Sequence, residues 1–163
     1  MAWYVLRVCP GKEEYVSDKL IANGMLAMNP RTITKKYGSD GILKREVKTL
    51  FPGYLFVCVS YNPQVYYDIK SNPYVTNWLE APEPLPLSKA EAALIKLLNN
   101  KGFPLEQSIV NFSANGGKYQ VESGILARLA PRFEAHVSKK SQKAFFDIVL
   151  CGHTFELCLP ICS

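Results

Sequence analysis

The stretch from Leu50 to Val59 constrains this chain most. Leu50-Phe51-Pro52-Gly53 leads into Tyr54-Leu55-Phe56-Val57-Cys58-Val59, a run that is entirely apolar, β-branched or aromatic. Such a run suits a strand buried on both faces, since a half-exposed strand would alternate with polar residues. The two-residue period puts Tyr54, Phe56 and Cys58 on one face, and Leu55, Val57 and Val59 on the other. Proline fixes φ and glycine tolerates unusual φ, so Pro52-Gly53 bends the chain sharply ahead of the strand. Phe51 is then held at the rim of a sheet, where a ring either closes a core or meets a partner.

The segments around this strand alternate in type. Trp3 to Val8 reads as a first strand, broken by Pro10-Gly11. Lys12 to Asn23 reads as a helix, with Glu13 and Glu14 at the positive end of its dipole and Asn23-Gly24 as its stop. Leu26 to Lys36 is expected as a second strand, Tyr37 to Gly41 as a turn and Ile42 to Lys48 as the returning strand. Asn62-Pro63 caps a helix carrying Val65, Tyr66 and Ile69, which Pro73 ends. Val75 to Leu79 makes a further strand. Prolines extend residues 81–86, and Ser88-Lys89-Ala90-Glu91 forms a capping box for a helix with a Leu94, Leu97, Leu98 stripe. This order predicts an α+β domain built on a largely antiparallel sheet flanked by helices, residues 1–101.

After a linker at 102–111 the texture changes. Short strands are expected at Lys118–Glu122, Phe133–Lys139, Ala144–Leu150 and Thr154–Leu159, with turns at Gly116-Gly117, Ser123-Gly124, Lys139–Gln142 and Cys151-Gly152. That spacing predicts a small C-terminal β-barrel over 112–163.

Composition narrows the function. No apolar run approaches the ~18–20 residues that span a bilayer, and no signal peptide is evident, so a cytoplasmic protein without membrane contact is expected. The five cysteines are odd in number and form no CxxC pair, which points to reduced thiols. Cys151, His153, Cys158 and Cys162 match no common zinc spacing, and alternating positions in apolar strands are ordinary homes for cysteine, so no metal is expected. His136 and His153 have no spaced nucleophile or carboxylate. Ser113 to Tyr119 lacks the first glycine and the Ser/Thr of a phosphate loop and reads as a turn into a strand. An enzyme is not indicated, and no cofactor is expected. The net charge is +5, and residues 1–104 hold 13 Lys/Arg against 9 Asp/Glu. Arg31, Lys35, Lys36, Lys44, Arg45 and Lys48 cluster ahead of the central strand. Such a cluster can meet phosphates by counterion release, although charge alone favours a solvated hairpin.

Phe51-Pro52-Gly53-Tyr54 resembles the FPGY signature of the NusG family of transcription elongation factors. Trp3-Tyr4-Val5, Asn72-Pro73-Tyr74-Val75 and Pro86-Leu87-Ser88 follow that family's order. The second part resembles a KOW domain, with Gly116, Val121 and Gly124 fitting its opening; Gly117 stands where an Asp is usual and Pro131 where a second Gly is expected. Glu13, Leu105-x-x-Ser108, Ser123-Gly124-Ile125-Leu126 and Ser138 to Ala144 are similar to specialised NusG paralogues of the LoaP type.

The resemblance implies an N-terminal domain that takes the clamp helices of RNA polymerase in an apolar depression. Carried position by position, Phe51, Pro52, Gly53, Tyr54 and Phe56 line it, with Arg7 on the first strand beside them. It implies contact with non-template or upstream DNA from the turn after the second helix, at Lys70, Ser71 and Asn72. Ser71-Asn72 before Pro73 is equally a normal helix terminus. It also implies that the C-terminal domain engages structured nascent RNA, through Arg128 and Arg132 in a loop and Lys139, Lys140 and Lys143 in a hairpin turn. The expected protein is a monomeric, non-enzymatic factor that promotes processive elongation or antitermination at selected operons. The rivals are a housekeeping NusG and a KOW-containing ribosomal or RNA-binding protein without polymerase contact.

Overall fold

A computed structural model describes residues 1–114 and 118–163. In chain order the elements begin with β1 (Ala2–Val8), α1 (Glu13–Ala22), β2 (Leu26–Met28), β3 (Arg31–Tyr37), β4 (Leu43–Thr49) and β5 (Tyr54–Val59). Next come α2 (Pro63–Lys70), β6 (Val75–Trp78), α3 (Lys89–Asn99) and a 3-10 turn (Asn100–Gly102). The last are β7 (Ser108–Phe112), β8 (Tyr119–Ser123), α4 (Ile125–Leu129), β9 (His136–Ser138), β10 (Lys143–Leu150) and β11 (His153–Cys162). They divide into two compact units, Met1–Pro30 with Phe51–Gly102, and Arg31–Leu50 with Phe103–Ser163.

The first unit is a four-stranded antiparallel sheet in the order β2-β5-β1-β6. The strand expected at Tyr54–Val59 lies inside it, paired on both sides. Its Leu55, Val57 and Val59 join Tyr4, Leu6 and Val8 of β1 in a core with Val16 and Leu20 of α1, Tyr66 and Ile69 of α2, and Trp78. Fully burying such a side chain is worth about 1.5–3 kcal/mol, so this face holds the unit together. Both later helices start as their sequences dictate. The Asn62 side chain accepts from Val65 N at 2.9 Å, and Ser88 and Glu91 complete a reciprocal capping box. The last turn of α3 then unwinds through left-handed Asn100 and Lys101 into Gly102.

The expected strand from Leu26 to Lys36 is two strands. Pro30 has no N–H to donate and restricts Asn29, so the run breaks there. β2 stays with β5, while β3 pairs with β4 and belongs to the second unit. The reason is local pairing with residues expected in the linker: Ile33 N donates to Leu105 O at 2.9 Å, and Leu105 N donates to Arg31 O at 2.8 Å. The expected 102–111 linker also contains most of β7, so its second half is sheet.

In the second unit the strand order is β8-β7-β11-β10-β9, a curled five-stranded sheet in which β7 and β11 run parallel and the other described pairs antiparallel. Tyr119 Oη on one edge strand donates to Ala135 O, next to the other, at 3.3 Å. Val110, Leu126, Ala144 and Ile161 form its buried centre. Residues expected as a loop, Ile125–Leu129, form α4. This corrects the placement of Arg128, which stands on that helix while Arg132 follows it. Gly124 supplies the geometry: its φ is +95°, and a Cβ there would lie 2.6–2.9 Å from Ser108, whose Oγ accepts from Leu126 N at 3.1 Å. The phosphate-loop-like stretch lies partly, and the KOW-pattern positions Gly116 and Gly117 wholly, outside the described residues. Ser113 N donates to Lys118 O across them at 2.9 Å.

Candidate functional site

The Pro52-Gly53 bend is fixed from two sides. Gly53 has φ +84°, a left-handed conformation that disfavours any side chain. Its carbonyl accepts from Val8 N at 2.8 Å, which ties the bend to the end of β1. Its N–H donates to Glu13 Oε1 at 3.0 Å. The same carboxylate accepts from Gly11 N, through Oε1 at 3.1 Å and Oε2 at 2.9 Å. Glu13 is only 4% exposed, and no cation approaches it among the described ion pairs. A buried carboxylate without a countercharge is tolerable only when its lone pairs are filled, and here two backbone amides fill them. The first-turn position of Glu13 was readable as a dipole effect; its larger role, joining the Pro10-Gly11 and Pro52-Gly53 turns, needed the fold.

The aromatic residues of this stretch do not share one environment. Phe51 is 2% exposed and Phe56 is 0%, and their rings meet edge to face at 5.1 Å. Both are interior, which corrects the expectation that they present aromatic area to a partner. The cause lies in the sheet: Phe56 stands directly opposite Val5 on the inner strand pair, and Phe51 packs back on it. Tyr54 is half-buried and Pro52 is exposed. Across the β1–β5 pair Tyr54 faces Arg7, which is exposed and lies opposite Asn77 of β6 on its other side. Helix α3 sits at the far end of this face, where Lys96 Nζ lies 6.0 Å from the Trp3 ring centre. The accessible part of the expected surface is therefore Arg7, Pro52, Gly53 and Tyr54.

The turn after α2 is largely engaged in its own geometry. Ser71 Oγ donates to Asp68 O at 2.6 Å, and Asn72 Oδ1 accepts from Tyr74 N at 2.9 Å, as a helix terminus requires. Lys70 Nζ lies 5.8 Å from the Tyr66 ring centre. Ser71 and Asn72 nevertheless line a groove of about 450 Å³ together with Lys19 of α1 and Asn23, which caps that helix, over a floor that includes Leu20 and Ile69. Beside it is a set of residues that sequence reasoning missed. Tyr15 and Tyr74 meet edge to face at 5.3 Å, with Lys12 Nζ 5.0 Å from Tyr74 and Lys19 Nζ 5.6 Å from Tyr15. The Tyr15–Lys19 spacing of one helical turn was a legible signal; the neighbouring Tyr74 was not.

In the second unit Lys139 and Lys140 stand in the turn between β9 and β10, and Lys143 opens β10. Lys139 Nζ lies 5.7 Å from the Phe112 ring centre, and the Arg132 guanidinium lies 5.7 Å from that of Phe133. Gln142, at φ +55°, closes the turn by donating to Lys139 O. All five cysteines are free thiols. Among the described residues no three His, Cys, Asp or Glu side chains group as metal ligands, and no helix is long and apolar enough to cross a membrane.

A family model described as transcription termination factor nusG matches residues 1–96, more than half of the chain. The chain belongs to the NusG family. NusG-family proteins are non-enzymatic transcription factors, so the scattered acids and histidines call for no catalytic account. Among solved structures, one titled for domain interaction in Thermotoga maritima NusG is similar with a TM-score of 0.55 at 21% identity, covering 98% of this chain and 93% of that one. That likeness extends the NusG fold, an N-terminal domain followed by a KOW domain, past the residues of the family model. A chain of the MjSpt4:Spt5 complex matches at 14% identity over 98% of this chain and 93% of its own, with a TM-score of 0.33 too low to carry an argument. No curated protein matches the chain.

Proposed function

We propose that this NusG-family chain is an elongation factor that binds the clamp helices of RNA polymerase. It promotes processive elongation or antitermination at selected operons, in the manner of a LoaP-type paralogue. The observation that carries the reading is the rigid Pro52-Gly53 bend with Arg7 and Tyr54 facing each other beside it. A preorganised polar-aromatic patch on paired strands loses little freedom on binding, which is what an interface anchor needs. Phe51 and Phe56 support that patch from inside. Lys70, Ser71 and Asn72 contact the non-template strand through the lysine and the Asn72 amide, and Arg128, Arg132, Lys139, Lys140 and Lys143 meet structured nascent RNA by phosphate contact. A bound clamp favours the closed conformer, and paused or terminating states are entered more slowly. The factor acts as a monomer in the cytoplasm.

The test is capture of the full chain by isolated clamp helices, followed by transcription in vitro through a terminator. An Arg7→Ala, Tyr54→Ala double variant loses capture and readthrough together. Retention of both by that variant refutes the assigned surface.

A further inference from the structure

We infer that the β3–β4 hairpin is a second nucleic-acid site, which enters the major groove of duplex DNA as a two-stranded ribbon. The inference does not rest on the polymerase reading. Residues 31–50 hold six cations against two acids, and so four of the chain's five net positive charges. Charge alone fits a solvated hairpin, but the register does not. Lys35 stands directly opposite Arg45, and Lys36 directly opposite Lys44. Like charges directly opposed across strands destabilise a hairpin, and here two successive pairs do so. Successive pairs point to opposite faces, so both faces of the ribbon carry a cation pair. Outward from Lys35 on β3, and all along β4 to Lys48, the residues are exposed.

The nearby acids do not cancel this arrangement. Glu46 lies opposite Thr34 and pairs with Lys48 at 3.5 Å, and Glu106 pairs with Lys35 at 3.2 Å. Asp40 is exposed in the turn, where its Oδ1 accepts from Ile42 N at 3.0 Å. Lys36, Lys44 and Arg45 have no ion pair among the described residues. Beside the turn, Tyr37 faces Leu43 and is 76% exposed, with Ile42 at 61%. Cations on both faces, with apolar Tyr37, Ile42 and Leu43 flanking the turn, fit a cleft whose two walls are phosphates and whose floor offers thymine methyl groups. The major groove of B-DNA, about 12 Å wide, admits such a ribbon, while that of A-form RNA is too deep and narrow for side chains to read.

The experiment uses the full chain and a fluorescein-labelled DNA duplex of about 20 base pairs, with binding followed by anisotropy between about 50 and 200 mM salt. Each lost phosphate contact lowers the slope of log affinity against log salt by about 0.9, so a Lys36→Gln, Lys44→Gln, Arg45→Gln variant lowers it by about 2.7. Affinity at the lowest salt falls at least about tenfold with it. The variant removes repulsion and folds at least as well as the parent. A Lys44→Glu variant, which creates an opposite-charge pair with Lys36, weakens DNA binding while raising the thermal midpoint. An unchanged slope in the triple variant overturns the inference, as does equal affinity for an RNA duplex of the same sequence. Loss of DNA binding on substituting Lys139, Lys140 and Lys143, with the hairpin variant still bound, overturns it too.

Discussion

Removing the Glu13 carboxylate tests whether the bend before β5 is held from outside the strand. In Glu13→Ala two backbone donors, Gly11 N and Gly53 N, lose the acceptor they share at 2.9–3.1 Å. Leaving a buried donor unsatisfied costs about 1–3 kcal/mol, and both turns are only partly buried, so we expect a total loss of about 2–4 kcal/mol. Both tryptophans, Trp3 and Trp78, lie in the first unit, so their fluorescence during urea unfolding of the whole chain reads that unit. With a slope of about 2 kcal/mol per molar urea, the midpoint falls by about 1–2 M. Glu13→Gln separates hydrogen bonding from packing. Its amide oxygen can occupy the Oε1 position and serve both glycines, but its NH2 then faces the Gly11 N–H as donor to donor. The loss should be about half that of the alanine variant. A Glu13→Ala midpoint within about 0.2 M of the parent would refute the reasoning, because solvent would then be satisfying both amides at no cost. The same variant should bind polymerase less well although it alters no residue of the proposed contact surface.

Gly124→Ala should unfold the second unit or lower its stability by more than about 3 kcal/mol, because the new methyl group overlaps Ser108 and φ stays positive; far-ultraviolet dichroism during unfolding measures it. Alkylation by iodoacetamide near pH 8.5 should modify exposed Cys162 well before Cys158. Burial pushes the Cys158 thiol up, against the lowering effect of Lys143 and Lys48, so less thiolate is present at any given pH below its pKa. Peptide mass mapping over time reads the order, and faster labelling of Cys158 contradicts it.

The first unit was legible in sequence because its signals are local. The Ser88 capping box, the Asn62-Pro63 cap and the six-residue apolar run each specify an element with no help from elsewhere in the chain. The misreadings arose where a distant segment decides the outcome. Asn29-Pro30 weakens a strand, but only the pairing of Arg31 and Ile33 with Leu105 assigns β3 to the other unit. Likewise, Ile125–Leu129 is too short to show a helical period, and α4 depends on the buried Ser108 hydroxyl that accepts from the amide of Leu126, its second residue.

The site was legible by position more than by role. An aromatic residue in a signature can be exposed to recognise a partner or buried to shape the residues that do, and composition does not distinguish these. Here the alternation along β5 decides. Phe56 is two residues from Tyr54 on the same face, but it faces Val5 in the middle of the inner strand pair, while Tyr54 faces Arg7 at the end of that pair. A large ring at the centre of a four-stranded sheet is covered by its neighbours; one at the end, beside a bend that has left the sheet, is covered on one side only. Of the residues expected to bind, the proposed contact therefore rests on Tyr54 and its partner Arg7. Phe51 and Phe56 become the reason that pair stays in place. This division predicts that Phe56→Leu lowers stability and polymerase capture together, whereas Tyr54→Ala lowers capture with a small change in the urea midpoint. If the two variants lose capture in proportion to stability, the patch has no recognition role separate from the fold.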